Sequence, residues 1–279
     1  MTAVVFDTRV CALGEGAFWH PERQQAFWFD ILGRRLLTPG AEWRFDQMVS
    51  ACGWLDRDHL LIASETGLLQ FDLRDGQSRI VTALEAENPE TRSNDGRADP
   101  MGGFWIGTMS KTAARRAGGI WRYYRGQLRR IVADITIPNA ICFSADGRKG
   151  WYADTQEQQV WTLALDPDGW PEAPPQPFLD LRREGLNPDG AVIDDQGRFW
   201  NAQWGAARVA CYDPAGQFVT AHDVPGLHSS CPAFIGAALD RLMMTTATEN
   251  IADPGPSDGQ TFVIEHPGAR GRPEPRVIL

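Results

Sequence analysis

Four polar residues recur at similar positions along the 279-residue chain, and their side chains could bind a cation. They are Glu15, Asn94, Asn139 and Asp189. Gly or Ala follows each of them within two positions, and a Trp comes 11 to 13 positions later: Trp28, Trp105, Trp151 and Trp200. Carboxylate and amide oxygens bind hard divalent ions such as Ca²⁺, Mg²⁺ and Mn²⁺, and Zn²⁺ and Fe²⁺ also accept carboxylates. If the four residues met, they would form a metal site.

The same residues also have an ordinary structural interpretation. Asn-Gly and Asp-Gly pairs are common in turns, and a repeated fold would repeat its turns as well. Taken singly, each residue is more typical of a turn than of a ligand set. The metal site is therefore a hypothesis that requires the four side chains to converge.

The elements that would have to position these residues are short β-strands. Apolar runs such as 26–29, 104–107 and 199–202 recur along the chain, and turn signals such as Asp146-Gly147 separate them. No convincing amphipathic helix longer than about ten residues is present. The sequence is therefore typical of an all-β protein.

The spacing of the repeated phrase predicts how the strands are grouped. The four starting residues lie 79, 45 and 50 positions apart, so the first gap spans nearly two repeats. Weaker copies at Ala51-Cys52-Gly53 and Ser230-Cys231 complete six units of about 45 residues, the size of a four-stranded blade. We therefore predict a six-bladed β-propeller that forms one domain over residues 1–279.

Two proline-rich stretches need a place in this architecture. Residues 170–178 are expected to form a loop between strands rather than a domain boundary. Residues 267–275 are expected to form a loop before a closing strand at Val277-Ile278-Leu279.

A propeller supplies the convergence that the metal hypothesis requires. The innermost strand of each blade lines a central channel, so a polar residue just before that strand points at a common axis. The six equivalent positions are Glu15, Ser50 or Cys52, Asn94, Asn139, Asp189, and Ser230 or Cys231. Burying unpaired charge costs several kcal/mol, and a bound divalent cation would compensate for that cost.

Several longer motifs resemble the SMP-30/gluconolactonase/luciferin-regenerating family, in particular its bacterial sugar lactonases. The match runs in order from about residue 10 to residue 265. Its motifs are Leu13-Gly14-Glu15-Gly16-Ala17-Phe18-Trp19, residues 92–100 with 105–109, Ile137-Pro138-Asn139 with 152–155, and Asn187-Pro188-Asp189-Gly190 with 197–200.

The resemblance implies a six-bladed propeller that binds one catalytic divalent metal ion. It also implies that the protein hydrolyses sugar lactones. By residue-wise matching, the metal ligands are Glu15, Asn139 and Asp189, and the substrate-binding pair is Arg92 and Asn94. The ligand set does not select among Ca²⁺, Zn²⁺, Mg²⁺, Mn²⁺ and Fe²⁺. Lys111-Thr112 stand where some relatives place a substrate-contacting Glu, and Ile235-Gly236 where the family has a double Gly. We interpret both departures as differences in substrate preference.

The leading functional hypothesis is metal-dependent hydrolysis of an aldonolactone to its acid. The metal would polarise the carbonyl and activate water, and Asp189 would act as both ligand and general base. Trp19 and Phe104 are candidate walls for the sugar, although Trp19 fits a core position better. Three other functions stay open: a non-catalytic Ca²⁺-binding regulatory propeller, a protein-interaction propeller that uses surface loops, and a broader lactonase or esterase for aryl or phosphotriester substrates. Arg92-Ser93-Asn94 favours a hydroxylated ring over the last of these.

Composition excludes several other classes of function. The net charge of −9 argues against a surface for nucleic acid or anionic membranes. No apolar segment approaches the roughly 18 residues of a membrane span, and the N-terminus lacks a signal-peptide pattern. Five scattered Cys residues are typical of buried thiols in a reducing compartment, so we expect a cytoplasmic protein. We expect a monomer whose partner is a small-molecule sugar lactone.

Overall fold

The computed structural model describes residues 3–279 and contains six four-stranded antiparallel sheets. The first strand of each sheet contacts the first strands of both neighbouring sheets, which closes a ring around a central channel. These innermost strands are β2 (Gly14–His20), β6 (Val49–Trp54), β10 (Thr91–Ala98), β14 (Pro138–Phe143), β18 (Asn187–Ile193) and β22 (His228–Ile235). The predicted all-β, six-bladed propeller is confirmed.

The remaining strands follow outwards in chain order in the first five blades, and in the sixth blade the outermost strand is β1. The second strands are β3 (Gln25–Asp30), β7 (His59–Ser64), β11 (Phe104–Ser110), β15 (Lys149–Asp154), β19 (Phe199–Trp204) and β23 (Arg241–Ala247). The third are β4 (Arg35–Thr38), β8 (Gly67–Asp72), β12 (Gly118–Tyr124), β16 (Gln159–Ala164), β20 (Arg208–Tyr212) and β24 (Thr261–Ile264). The outermost are β5 (Ala41–Arg44), β9 (Ser78–Ala83), β13 (Gln127–Ile135), β17 (Gln176–Asp180), β21 (Phe218–Asp223) and β1 (Val4–Asp7).

The sixth blade closes the ring with strands from both ends of the chain. Its outermost strand, β1, pairs antiparallel with β24, with Val4 opposite Val263 and Asp7 opposite Thr261. The predicted closing strand at Val277–Leu279 was therefore wrong, because those residues join no sheet. The pattern misled because Val-Ile-Leu has strand propensity, whereas strand pairing is decided by neighbours that are distant in sequence. The proline-rich stretch at residues 170–178 does lead from one strand to the next, as predicted, although Pro177 lies within β17.

The hydrophobic core is divided among the blade interfaces. Six clusters of buried side chains each combine residues from two adjacent blades, and together they cover all six interfaces. The repeated Trp residues belong to this scaffold, and Trp28, Trp105 and Trp200 are almost completely buried. Two of them are also tied to the turn that precedes their strand, because Trp105 Nε1 donates to Asp99 (2.9 Å) and Trp200 Nε1 to Asp194 (2.9 Å).

The C-terminal segment, residues 268–278, crosses the mouth of the channel at which the innermost strands end. It is tied to five blades by hydrogen bonds between backbone or side-chain groups. These join Arg270 to Asp195, Gly271 to Leu239, Arg272 to Phe143, Glu274 to Trp54 and Ile278 to Gly102. Val277 is 2% exposed and packs against the innermost strands, where a Cβ on Gly53 would lie 2.4 Å from its Cγ2. The segment therefore covers this end of the channel.

A salt bridge between Arg97 and Glu274 anchors the segment to β10. The two side chains are 10% and 13% exposed, so the pair is largely removed from water. Burial disfavours the charged form of Arg97, but its neighbours together, with Glu274 the strongest of them, outweigh burial and raise the pKa of the guanidinium. Removing one partner would leave the other charge buried and unpaired.

Glu274→Gln is therefore expected to lower the free energy of unfolding by about 3 kcal/mol, the usual cost of breaking a buried ion pair. The measurement is urea-induced unfolding followed by tryptophan fluorescence. Glu265→Gln is the matched control, because its pair with Arg241 is 36% and 46% exposed and should contribute no more than about 1 kcal/mol. Equal effects of the two substitutions would contradict the anchoring role of Glu274.

Candidate functional site

A β-bulge near the start of each innermost strand positions the recurring polar residues. In all six blades the pairing with the second strand shifts register at this point. The residues at these shifts are Glu15, Ser50, Asn94, Asn139, Asp189 and Ser230. Because a bulge re-aims the side chains beside it, the repeat places six side chains around the channel at one level.

Two of these bulges contain a residue in the left-handed backbone region. Gly16 follows Glu15 with φ of 57°, and a Cβ there would lie 2.3 Å from Ser50 O, so only Gly fits. Ala140 follows Asn139 with φ of 58°. Unlike Gly, Ala has a Cβ, and a non-Gly residue is strained by about 1–2 kcal/mol in this region. Strain beside Asn139 is consistent with a backbone that is bent to aim this side chain.

A cavity of about 430 Å³ opens at the bulge end of the channel. All five residues that the sequence singled out line it: Glu15, Arg92, Asn94, Asn139 and Asp189. Ser50 and Ser230 do not line it and are engaged internally, since the Ser50 hydroxyl donates to Ser93 (2.8 Å) and the Ser230 hydroxyl lies 2.9 Å from that of Thr245.

Glu15 and Asp189 form a buried pair of like charges. Each is 3% exposed, and neither forms a salt bridge with any Lys, Arg or His in residues 3–279. Burial and the nearby charge of Asp95 raise the pKa of Glu15 to about 8. Burial and the charge of Glu15 raise the pKa of Asp189 well above its usual value. The two carboxyl groups are close enough to share a hydrogen bond when one of them is protonated.

Asp95 adds a third carboxyl group beneath the pair. It is 3% exposed, lies outside the cavity lining, and accepts backbone N–H donors from Gly96 (2.8 Å) and Ile141 (2.7 Å). Burial raises its pKa as well. Sequence analysis missed Asp95 because the Asn94-Asp95-Gly96 phrase is indistinguishable from an ordinary turn.

Hydrogen bonds fix the orientation of the Asn139 amide. Its Nδ2 donates to the Thr155 hydroxyl (2.8 Å), which in turn donates to Pro188 O (2.7 Å). Its Oδ1 accepts from Asn94 Nδ2 (3.0 Å) and retains one lone pair. Thr155 therefore holds the amide with its oxygen free to accept a further ligand.

Arg92 and Asn94 are linked in the same network. Arg92 Nη1 donates to Asn94 Oδ1 (2.7 Å) and to Ser93 O (2.9 Å). Asn94 Nδ2 donates to both Asn139 Oδ1 and Pro138 O, so both of its amide hydrogens are engaged. Within the described residues Nε and Nη2 of Arg92 make no hydrogen bond, and these donors are available to a ligand in the cavity.

The apolar walls of the cavity differ from those that the sequence suggested. Phe104 is fully buried in the core between the second and third blades, and Trp19 packs near the interface of the sixth and first blades. Neither lines the cavity, so Phe104 as a wall was wrong. The apolar lining residues are Leu13, Met109, Ala113, Ile137 and Trp204. Their positions do not repeat from blade to blade, so no periodic signal marked them.

Lys111 also lines the cavity. Its ammonium group forms a salt bridge with Glu65 (2.5 Å), so its charge is largely compensated.

The donor set at the cavity floor fits a divalent cation. It offers two carboxylates without a cationic partner and one amide oxygen whose orientation is fixed. Oxygen donors of this kind suit hard ions, and a positive charge would oppose the burial and the charge repulsion that raise both carboxyl pKa values. Among residues 3–279, no helix has the length and apolar character needed to span a bilayer.

Comparison with known proteins places this architecture in context. A family model described as the SMP-30/Gluconolactonase/LRE-like region matches residues 13–248. The chain is 38% identical to a provisionally named sugar lactone lactonase of Rhizobium meliloti (strain 1021), over 96% of this chain and 94% of that protein. It is 36% identical to an L-arabinolactonase of Azospirillum brasilense, over 93% of this chain and 90% of that protein.

The fold is also similar to solved structures. One is described as a calcium-binding protein, regucalcin, from Agrobacterium tumefaciens str. C58. It superimposes with a TM-score of 0.96 at 36% identity and covers 100% of this chain and 98% of that chain.

The carboxylate pair predicts that Asp189→Asn stabilises the metal-free protein, by about 1–2 kcal/mol at pH 8. A carboxyl group whose pKa is raised on folding stabilises the native state at low pH, and this contribution is lost as the pH rises from about 4.5 through about 8. At pH 6 Glu15 is mostly protonated, so the gain should be smaller there. The measurement is urea unfolding in the presence of a chelator at both pH values.

The control is Asp253→Asn, which makes the same chemical change at an exposed site and should alter stability at neither pH. A destabilised Asp189→Asn protein under chelation would argue that the two carboxylates do not repel each other.

Proposed function

The chain belongs to the SMP-30/gluconolactonase/LRE-like family, and from this premise we propose that it is a metal-dependent sugar lactonase. It would open the lactone of an aldonic acid to the free acid. The observation that supports this most directly is the cavity floor, where Glu15, Asn139 and Asp189 present oxygen atoms without a cationic partner. Related proteins with lactonase names support the reaction class.

We propose that Glu15, Asn139 and Asp189 hold one divalent ion. When bound, such an ion supplies a Lewis acid for the carbonyl oxygen and lowers the pKa of water. The ligand set does not decide among Ca²⁺, Zn²⁺, Mg²⁺, Mn²⁺ and Fe²⁺, because all of them accept carboxylate oxygens.

In the proposed reaction Asp189 acts as the general base. It accepts a proton from water as the water oxygen attacks the lactone carbonyl carbon. The bond between that carbon and the ring oxygen then breaks, and the proton passes to the ring oxygen, which becomes a hydroxyl group. Burial supports this role, because a carboxylate removed from bulk water is a stronger base than an exposed one.

We propose that Arg92 binds and orients the lactone. Its free Nε and Nη2 donors can reach a ring or carbonyl oxygen, and the bond from Nη1 to Asn94 Oδ1 holds the guanidinium in place. Asn94 has little donor capacity left for substrate, so its main contribution is to position both Arg92 and Asn139. One acceptor lone pair of its Oδ1 is free for a substrate hydroxyl.

A second candidate function is calcium binding without catalysis. The similarity to a structure described as a calcium-binding protein favours it, because the same oxygen donors would serve a regulatory calcium site. The two functions differ in turnover, not in metal binding. Calcium binding by calorimetry, combined with no hydrolysis of any aldonolactone tested, would favour this second function.

The lactonase proposal predicts that both chelation and Asp189→Ala reduce lactone hydrolysis by about 10³-fold or more, since each removes a group that acts in the transition state. The assay is pH-stat titration of acid release from a panel of gluconolactone, xylonolactone, arabinonolactone and galactonolactone. Adding back single metal ions should restore the chelated wild-type protein but not the variant.

Asp253→Ala serves as the control and should keep full activity. Hydrolysis that survives both chelation and Asp189→Ala would rule out the metal mechanism.

A further inference from the structure

Glu249 is a cavity residue to which neither the repeat nor the proposed metal site assigns a role. It lies between β23 and β24, and its backbone is held on both sides. Its N–H donates to Ala12 O (2.9 Å), and its carbonyl oxygen pairs with His228 Nδ1 (2.9 Å). The His228 ring stacks on Trp204 with 4.1 Å between centroids. The backbone of Glu249 is therefore held in a fixed position.

The Glu249 side chain, in contrast, is unpartnered. Within residues 3–279 its carboxylate accepts no hydrogen bond and forms no salt bridge, yet it lines the same cavity as Arg92 and Asp189. A half-buried carboxylate without a partner is unfavourable unless a ligand supplies donors.

Glu249 and Arg92 influence each other's pKa. Burial lowers the pKa of Arg92, and among the carboxylates that oppose this effect Glu249 is the strongest. Burial raises the pKa of Glu249, and Arg92 is the charge that opposes it. The two side chains thus interact through space without a hydrogen bond. An acceptor on Glu249 and the free donors on Arg92 face a common cavity, an arrangement that suits hydroxyl groups, which both donate and accept.

The charges around the cavity are already balanced. Lys111 is paired with Glu65, and Glu249 offsets Arg92. The remaining charges, on Glu15 and Asp189, would be offset by a divalent ion. An anionic substituent on the ligand would therefore lie near Glu249 with no free cation to receive it.

We propose that Glu249 is a specificity-determining residue that accepts hydrogen bonds from hydroxyl groups of a neutral sugar lactone and disfavours lactones that carry an anionic group. The inference rests on the proposed lactonase function and narrows its substrate class. Glu249 touches neither the scissile bond nor the metal ligands in this role, so it acts on binding more than on turnover.

The test is Glu249→Gln, which keeps the shape of the side chain and removes its charge. We expect kcat/KM for the best neutral lactone of the panel to fall about tenfold, chiefly through KM, because a hydrogen bond to a charged group is weakened. For gluconolactone 6-phosphate, kcat/KM should stay constant or rise, since the Arg92 charge is no longer offset. The ratio of neutral to anionic kcat/KM should therefore fall by at least tenfold.

Two variants make the result specific. Glu249→Asp keeps the charge and should retain most of the preference for the neutral lactone. Glu87→Gln makes the same chemical change on the exposed surface and should leave both substrates unaffected. If Glu249→Gln lowers kcat/KM equally for both lactones, or changes neither, Glu249 does not determine specificity, although the lactonase proposal would stand.

Failure of the lactonase proposal would be visible separately, as a wild-type protein that hydrolyses no lactone. In that case the binding of sorbitol, a neutral polyol, is measured through the fluorescence of the cavity residue Trp204. Weaker binding by Glu249→Gln than by wild type would still support hydroxyl recognition, and equal binding by the two proteins would overturn it.

Discussion

Three carboxyl groups, those of Glu15, Asp95 and Asp189, lie buried around one axis without a cationic side chain bonded to any of them, and the rest of the structure has to sustain this arrangement. Burial raises the pKa of all three, neighbouring carboxylates raise those of Glu15 and Asp189 further, and both effects oppose folding in the absence of a cation. Six blades with a large, divided core provide the stability that offsets this cost. Under the proposed function, this loss of stability is offset when the channel binds a divalent ion.

The polar side chains beside these carboxylates form a hydrogen-bonded network, in which most of the donors and acceptors are already engaged. The Thr155 hydroxyl accepts a hydrogen bond from the Asn139 amide, and Asn139 Oδ1 accepts one from Asn94. Asn94 Oδ1 in turn accepts one from Arg92. This network fixes the direction of the groups that it leaves free, which are a lone pair on Asn139 Oδ1 and two donors on Arg92. Ligand-binding capacity therefore depends as much on Thr155 and Asn94 as on the residues that would touch a ligand.

Much of this could be predicted from the sequence, because repetition amplifies weak signals. A single Asp-Gly pair predicts only a turn, but six equally placed polar residues predict a ring, and the bulges confirm that they are equivalent. Features that occur once were not predictable. Val277 and Val4 have similar local patterns, and only tertiary contacts decide that β1 closes the ring. Likewise, Thr155 and Glu249 carry no repeat signal, so their positions in the cavity emerge only from the fold.

The covered end of the channel connects the C-terminal segment to the chemistry at the opposite end. Because residues 268–278 cross the mouth at which the innermost strands end, the cavity at the bulge end is the approach open to a ligand. Arg97, which that segment holds through Glu274, lies two residues from Asp95 on the same strand and attracts its charge. The segment therefore fixes the position of the Arg97 guanidinium on the strand that carries Asp95 and covers this end of the channel. Electrostatic interactions at the cavity floor are strong because its carboxylates are themselves buried, and charges act over longer range where water is absent.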